Sequence, residues 1–186
     1  VRQAICNGES TTLSITSDVP GSTFAWRAFA SSANLAGYSN GSGSMITQAL
    51  TNNGYSIDSV TYRIAGTANG CLGDSTDVNV VVFPVADVIF TPASQEICSG
   101  ETATISIQSN VAATSFTWTA TGSSPDVSGY ANGSGDLIQQ TLFNSGYLMP
   151  TVTYTTTPVA NNCTGTSNSA VVTVNPLPVV SMPVCF

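Results

Sequence analysis

The side chains able to do chemistry are few. The chain holds five cysteines, ten carboxylates, three arginines (Arg2, Arg27, Arg63), no histidine and no lysine. Without imidazole, the commonest general base and metal ligand are missing. Without an amine side chain, there is no Schiff-base chemistry, no P-loop lysine and no Lys–Asn isopeptide crosslink. Serine is abundant but lacks a base, and the acids are scattered. Even a close pair such as Asp74 and Asp77 falls short of a calcium ligand set. The expectation is therefore a protein that is not an enzyme, takes no cofactor and holds no metal. Cysteine chemistry remains. Cys6 and Cys71 are 65 residues apart, as are Cys98 and Cys163. There is no Cys-x-x-Cys, and this spacing is too wide for a zinc knuckle. One disulfide in each half is expected, Cys6 with Cys71 and Cys98 with Cys163, in an oxidising compartment outside the cytosol. Each such loop is worth roughly 4 kcal/mol in the chain-entropy description. Cys185 is left over.

Those equal spacings come from a repeat. An offset of 92 residues maps Cys6 onto Cys98, Trp26 onto Trp118, Tyr62 onto Tyr154 and Cys71 onto Cys163. Residues 5–84 lie on 97–176 without a gap, with about 37 of roughly 80 positions identical; a period this long is a whole small domain and not a solenoid coil. The expected division is repeat one over 1–84, repeat two over 85–178, and the start of a truncated third over 179–186. "MPVCF" there echoes "QAICN" and "QEICS". Pro84 and Pro176 close the last strand of each repeat, and "DVIFTP" is expected to supply the first strand of the second. The short, proline-containing join implies a semi-rigid linker.

Strand signals fill both repeats. Leu13 and Ile15 alternate on one face, echoed by Ile105 and Ile107; Phe24, Trp26 and Ala28 do the same, echoed by Phe116, Trp118 and Ala120. Ile46, Gln48 and Leu50, then Val60, Tyr62 and Ile64, then Val78, Val80 and Val82 continue the pattern. Period-two alternation rich in Val, Ile, Thr and aromatics, broken by Gly, Asn and Pro, predicts an all-β fold of two tandem β-sandwich domains, each stapled by one disulfide. Gln48 and Gln140 fall on the inward face. A buried amide there is either tied to neighbouring backbone or turned towards a ligand groove, and the sequence leaves both open.

"GYSNGSG" at 37–43 and "GYANGSG" at 129–135 form a glycine-rich loop written twice. A phosphate cradle needs a following helix N-terminus and usually a basic side chain. A strand pattern follows instead, so a turn is expected. Tyr38, Tyr55, Tyr130 and Tyr147 each follow a glycine in a loop. Such tyrosines either stack on sugar rings or close the ends of the sandwich.

Charged residues make up 7% of the chain and the net charge is -7. That surface repels phosphate backbones and anionic lipids, which argues against nucleic acid and membrane partners. No apolar run approaches the ~20 residues of a membrane-spanning helix.

The stretches "ICSGETATISI", "FTWTATGS", "VSGYANGSG", "VTYTTTP", "NNCTG" and "VNPLP" resemble the PKD-like, immunoglobulin-like repeats of Bacteroidota surface adhesins, above all gliding-motility adhesins of the SprB type. The resemblance covers both repeats nearly end to end. It implies tandem sandwiches, type IX secretion, display on the cell surface, and surface attachment with gliding. Two roles follow as expectations. One is a load-bearing, monomeric filament segment whose partners are neighbouring repeats of the same chain and an abiotic surface. In it, a Cys6–Cys71 bridge would shield the residues between from extension, about 200 Å of contour at strand rise. The other is a polysaccharide-binding module that works through the loop tyrosines.

Overall fold

The structure, a computed structural model, describes residues 2–180, and the expected start of a third repeat with Cys185 lies almost wholly outside them. The chain forms two compact units, Val1–Val85 and Ala86–Phe186. Every regular element among the described residues is a strand. In the first unit these are β1 (Arg2–Cys6), β2 (Leu13–Ser14), β3 (Thr23–Ala30), β4 (Leu35–Ala36), β5 (Gly41–Ser42), β6 (Met45–Ile46), β7 (Thr51–Asn52), β8 (Asp58–Ala68) and β9 (Cys71–Phe83). The second unit holds β10 (Ile89–Thr91), β11 (Ser94–Cys98), β12 (Thr102–Gln108), β13 (Ser115–Gly122), β14 (Val127–Ser128), β15 (Gly133–Ser134), β16 (Leu137–Thr141), β17 (Phe143–Asn144), β18 (Thr151–Ala160), β19 (Cys163–Thr164) and β20 (Asn168–Asn175).

The main sheet of the first unit runs β1-β9-β8-β3-β5, and that of the second β11-β20-β18-β13-β15. The opposing layer is β2 with β6 in the first unit and β10-β12-β16 in the second. Alternation does what it predicted. Trp26, Val60, Tyr62, Val80 and Val82 of one layer meet Leu13, Ile46 and Leu50 of the other in one core. Trp118, Val152, Tyr154, Val172 and Val174 meet Ile105, Ile107, Ile138 and Leu142 in the second. "DVIFTP" supplies β10, as expected.

In the first unit β1 runs parallel to the last strand, β9, and in the second β11, which follows β10, runs parallel to the last strand, β20. Arg2 pairs with Asn79 and Cys6 with Phe83; Ser94 pairs with Val171 and Cys98 with Asn175. The strand then turns sharply. Glu9 reaches back so that its carboxylate accepts the Cys6 N–H at 2.7 Å, and Glu101 does the same for Cys98 at 2.8 Å. Gly8 and Gly100 supply the positive φ that this turn requires.

This register overturns the expected disulfides. Cys6 sits beside Phe83, the far end of the strand that Cys71 begins. The two are about twelve residues apart along β9, roughly 40 Å at strand rise, where a disulfide needs Cα atoms within about 7 Å. Cys98 lies against Asn175 at one end of the second main sheet, whereas Cys163 pairs with Ala160 at the opposite end of β18. Cys71 and Cys98 carry free, exposed thiols, while Cys6 and Cys163 are each disulfide-bonded. Neither unit contains the predicted internal staple, and the shielding expected from a Cys6–Cys71 bridge falls with it.

Candidate functional surfaces

The glycine-rich loop is a clasp, built on one plan in both units except that the buried Trp118 indole N–H lacks the carbonyl partner that Trp26 has. Trp26 Nε1 donates to the Ser39 carbonyl at 3.1 Å, and the Asn40 side chain accepts the Ala28 N–H at 2.9 Å. Gly41 and Ser42 form β5, which pairs with Trp26 and Ala25, so the expected turn is also a short edge strand. A Cβ at Gly41 would lie 2.5 Å from the Trp26 ring, and one at Gly133 would lie 2.5 Å from Trp118. The "NG" of the motif is therefore asparagine to cap a strand and glycine to let tryptophan close over it.

Gln48 completes the clasp. Its Oε1 accepts the Ser39 N–H at 2.9 Å and the Tyr62 hydroxyl at 2.8 Å, and its Nε2 donates to the Ser39 carbonyl at 2.9 Å. Gln140 repeats this with Ala131 N–H at 2.9 Å, Tyr154 hydroxyl at 2.9 Å and the Ala131 carbonyl at 2.8 Å. Of the two readings open in the sequence, the structure holds the amide tied to backbone. Burial pushes both Tyr62 and Tyr154 up to about 12, so each hydroxyl keeps its proton and donates.

The four loop tyrosines stand in different surroundings. Tyr38 and Tyr55 are exposed, and Tyr147 is 89% exposed beside the also exposed Leu148 and Met149. Tyr130 packs against the second core and lies over Gly122, where a Cβ would come within 2.8 Å of its ring. Tyr130 thus helps to close its sandwich, and Tyr147 is the most exposed of the four.

Sequence reading missed one surface. Arg27 and Arg63 face each other across β3 and β8 on the outward side of the first sheet. Arg63 binds Asp77 through two 2.8 Å hydrogen bonds and lies 6.0 Å from the Phe29 ring centroid. Those bonds raise the arginine and hold the Asp77 carboxyl below its ordinary range. Beside them runs a groove of about 480 Å³ with Trp26, Arg27, Phe29 and Asn40 on its walls. The second unit has Thr119, Thr121, Thr155 and Ser169 at these places. The signal was present in the alternation: with Trp26, Tyr62 and Ile64 inward, Arg27 and Arg63 must face out. Among the described residues no group of three metal-ligating side chains comes together, and no helix is long and apolar enough to cross a membrane.

The PKD-like domain family matches residues 3–86 and again 95–178. No curated protein sequence matches the chain. Solved structures similar to it include an amphioxus IgVJ-C2 molecule (17% identity, 92% of this chain and 99% of that one, TM-score 0.38). Another is human mucin-like protocadherin EC1-2 (13% identity, 96% of each chain, TM-score 0.40). A third is the four N-terminal Ig domains of Dscam1 isoform 7.44 (12% identity, 95% of this chain, TM-score 0.38). The chain spans about 43% of the length of that Dscam1 structure.

Proposed function

Since the chain belongs to the PKD-like domain family, with one copy in each unit, we propose that it is a load-bearing segment of an extracellular adhesin. The observation that carries this reading is the parallel pairing of an early strand with the last strand of each unit. Unit one's sheet begins at Arg2 and ends at Phe83, and β1 lies parallel to the end of β9. Pulling its two ends apart slides these strands along each other, so all five paired positions are loaded together instead of being peeled one by one. In the second unit β11 and β20 are paired in the same parallel sense, with β10, antiparallel to β12, ahead of them. The sequence resemblance to SprB-type repeats supports the finer reading: type IX secretion, cell-surface display, attachment and gliding motility. The disulfide-bonded Cys6 and Cys163 support an oxidising, extracellular setting.

Stretching single molecules under reductant tests the mechanical role. Two discrete unfolding steps are expected, each releasing roughly 80 residues, or about 270 Å of extended chain. A smooth, featureless extension at low force would overturn it. A second reading, glycan binding, is favoured by the exposure of Tyr147. Binding on a glycan array that Tyr147→Ala abolishes would establish it; no binding to any glycan would remove it.

A further inference from the structure

The two units differ in one place that the repeat makes easy to see. In the second unit, residues 86–91 run along the sandwich. Phe90 and Ile89 pair with Ile107 and Gln108 of β12. Val88 and Phe90 enter the core, and Ala86 joins Val111 and Ala160. The Ala86 carbonyl accepts the Thr166 N–H at 2.9 Å, and the Val88 carbonyl accepts from Asn168 Nδ2 at 3.1 Å.

In the first unit the corresponding place is an open groove of about 700 Å³. Its walls are the counterparts of the residues that hold 86–91: Ile15 for Ile107, Val19 for Val111, Phe24 for Phe116 and Ala68 for Ala160. Val19 is 48% exposed where Val111 is 3% exposed. The strand edge is open too. Thr11 and Ile15 donate their N–H groups inward, to Gln48 and Ser44. Alternation turns the N–H groups of Ser14 and Thr16 to the other side, the side on which Ser106 and Gln108 pair with β10.

The geometry points to a strand-acceptor groove on the first unit. Its occupant is an extended apolar strand of the small-x-Val-x-Phe pattern, lying directly ahead of the unit in the same chain as Ala86–Thr91 lies ahead of the second sandwich. The strand completes the opposing layer and covers Ile15, Val19 and Phe24. The acceptor also has a preference. In the second unit Asp87 accepts from Ser109 Oγ at 2.7 Å and from Asn110 N and Nδ2 at 2.8 and 2.6 Å. The first unit keeps Ser17 but has Asp18 in place of Asn110, so a carboxylate on the incoming strand meets another carboxylate. Asparagine at that position is favoured over aspartate. The inference stands on the groove and the open ladder and does not rest on the load-bearing reading.

The test extends the full chain in front of Val1 with ANVIFTP, in the register of residues 86–92, and follows amide hydrogen exchange. The Ser14 and Thr16 amides should exchange at least tenfold more slowly than in the unextended chain. A matching ADVIFTP extension should protect them less, and ANDIDTP, with charges at both core positions, should not protect them. Ser106 and Gln108 are internal references, already paired, and Phe90→Asp should expose them. Exchange at Ser14 and Thr16 unaltered by the ANVIFTP extension overturns the inference. So does equal protection by ANDIDTP, or a concentration-dependent dimer of the unextended chain that protects these amides by itself.

Discussion

If the Gln140 amide is the pin of the glycine-rich loop, replacing it with methionine, close in volume but without hydrogen bonds, removes three contacts at once. Two are to the Ala131 backbone, which lies in an exposed loop where water can take over. The third leaves the Tyr154 hydroxyl, in a residue with a fully buried side chain, without its acceptor. An orphaned buried hydroxyl costs about 1–3 kcal/mol, and the exposed backbone bonds add a few tenths each, so about 2 kcal/mol is expected. For a domain of this size that is a fall of about 8–15 °C in the melting transition of the second unit. Tyr154→Phe in the same background removes the orphan and should restore about 1 kcal/mol, a coupling that a double-mutant cycle by scanning calorimetry resolves. A Gln140→Met shift under about 2 °C, or no recovery with Tyr154→Phe, would show that the amide holds nothing, and the clasp reading would fail.

Further outcomes follow from the same structure. Gly133→Ala places a Cβ 2.5 Å from the Trp118 ring, so overpacking should destabilise the second unit by about 1–3 kcal/mol in thermal melts, and an unchanged melt would contradict the packing. Native alkylation without reductant should label Cys71 and Cys98 and spare Cys6 and Cys163, which should label only after reduction; labelling of all four in the native chain would refute the assignment. Asp87 is pushed up by burial, but hydrogen bonds from Ser109 and Asn110 outweigh this and leave it below its ordinary value. A depressed folded-state carboxyl contributes stability above its unfolded pKa and loses it as pH falls through the folded one. The protection factors of the Ser106 and Gln108 amides, taken against the intrinsic exchange rate at each pH, should therefore fall as the pH drops below about 4, and Asp87→Asn should flatten that dependence.

Much of the fold was legible because sandwich strands declare their inward face. Trp26 and Tyr62 fall on one parity with Ile64, and the structure buries that parity. The candidate surfaces were legible only in part. Gln48 was visible as a polar residue on an inward face, but its partners, Ser39 and Tyr62, come from a loop nine residues back and a strand fourteen residues on. Local pattern carries no such information. The cysteines misled for a related reason. Equal spacing reports the repeat, whereas bridging depends on register, and the register that sets Cys6 beside Phe83 comes from parallel pairing of the two ends of a unit. The Arg27–Arg63 face is implied by parity, but the second unit lacks it, so comparison of the two copies does not mark it.

The central claim is that the units resist tension through a parallel strand pair, β1 with β9 in the first and β11 with β20 in the second. Gln3→Pro and Gln95→Pro place a residue without an N–H within β1 and β11. Stretched singly under reductant, these variants should rupture at clearly lower force than the parent with unchanged contour gains, while Tyr147→Ala should match the parent. Rupture forces that stay at the parent value in both proline variants would contradict the account.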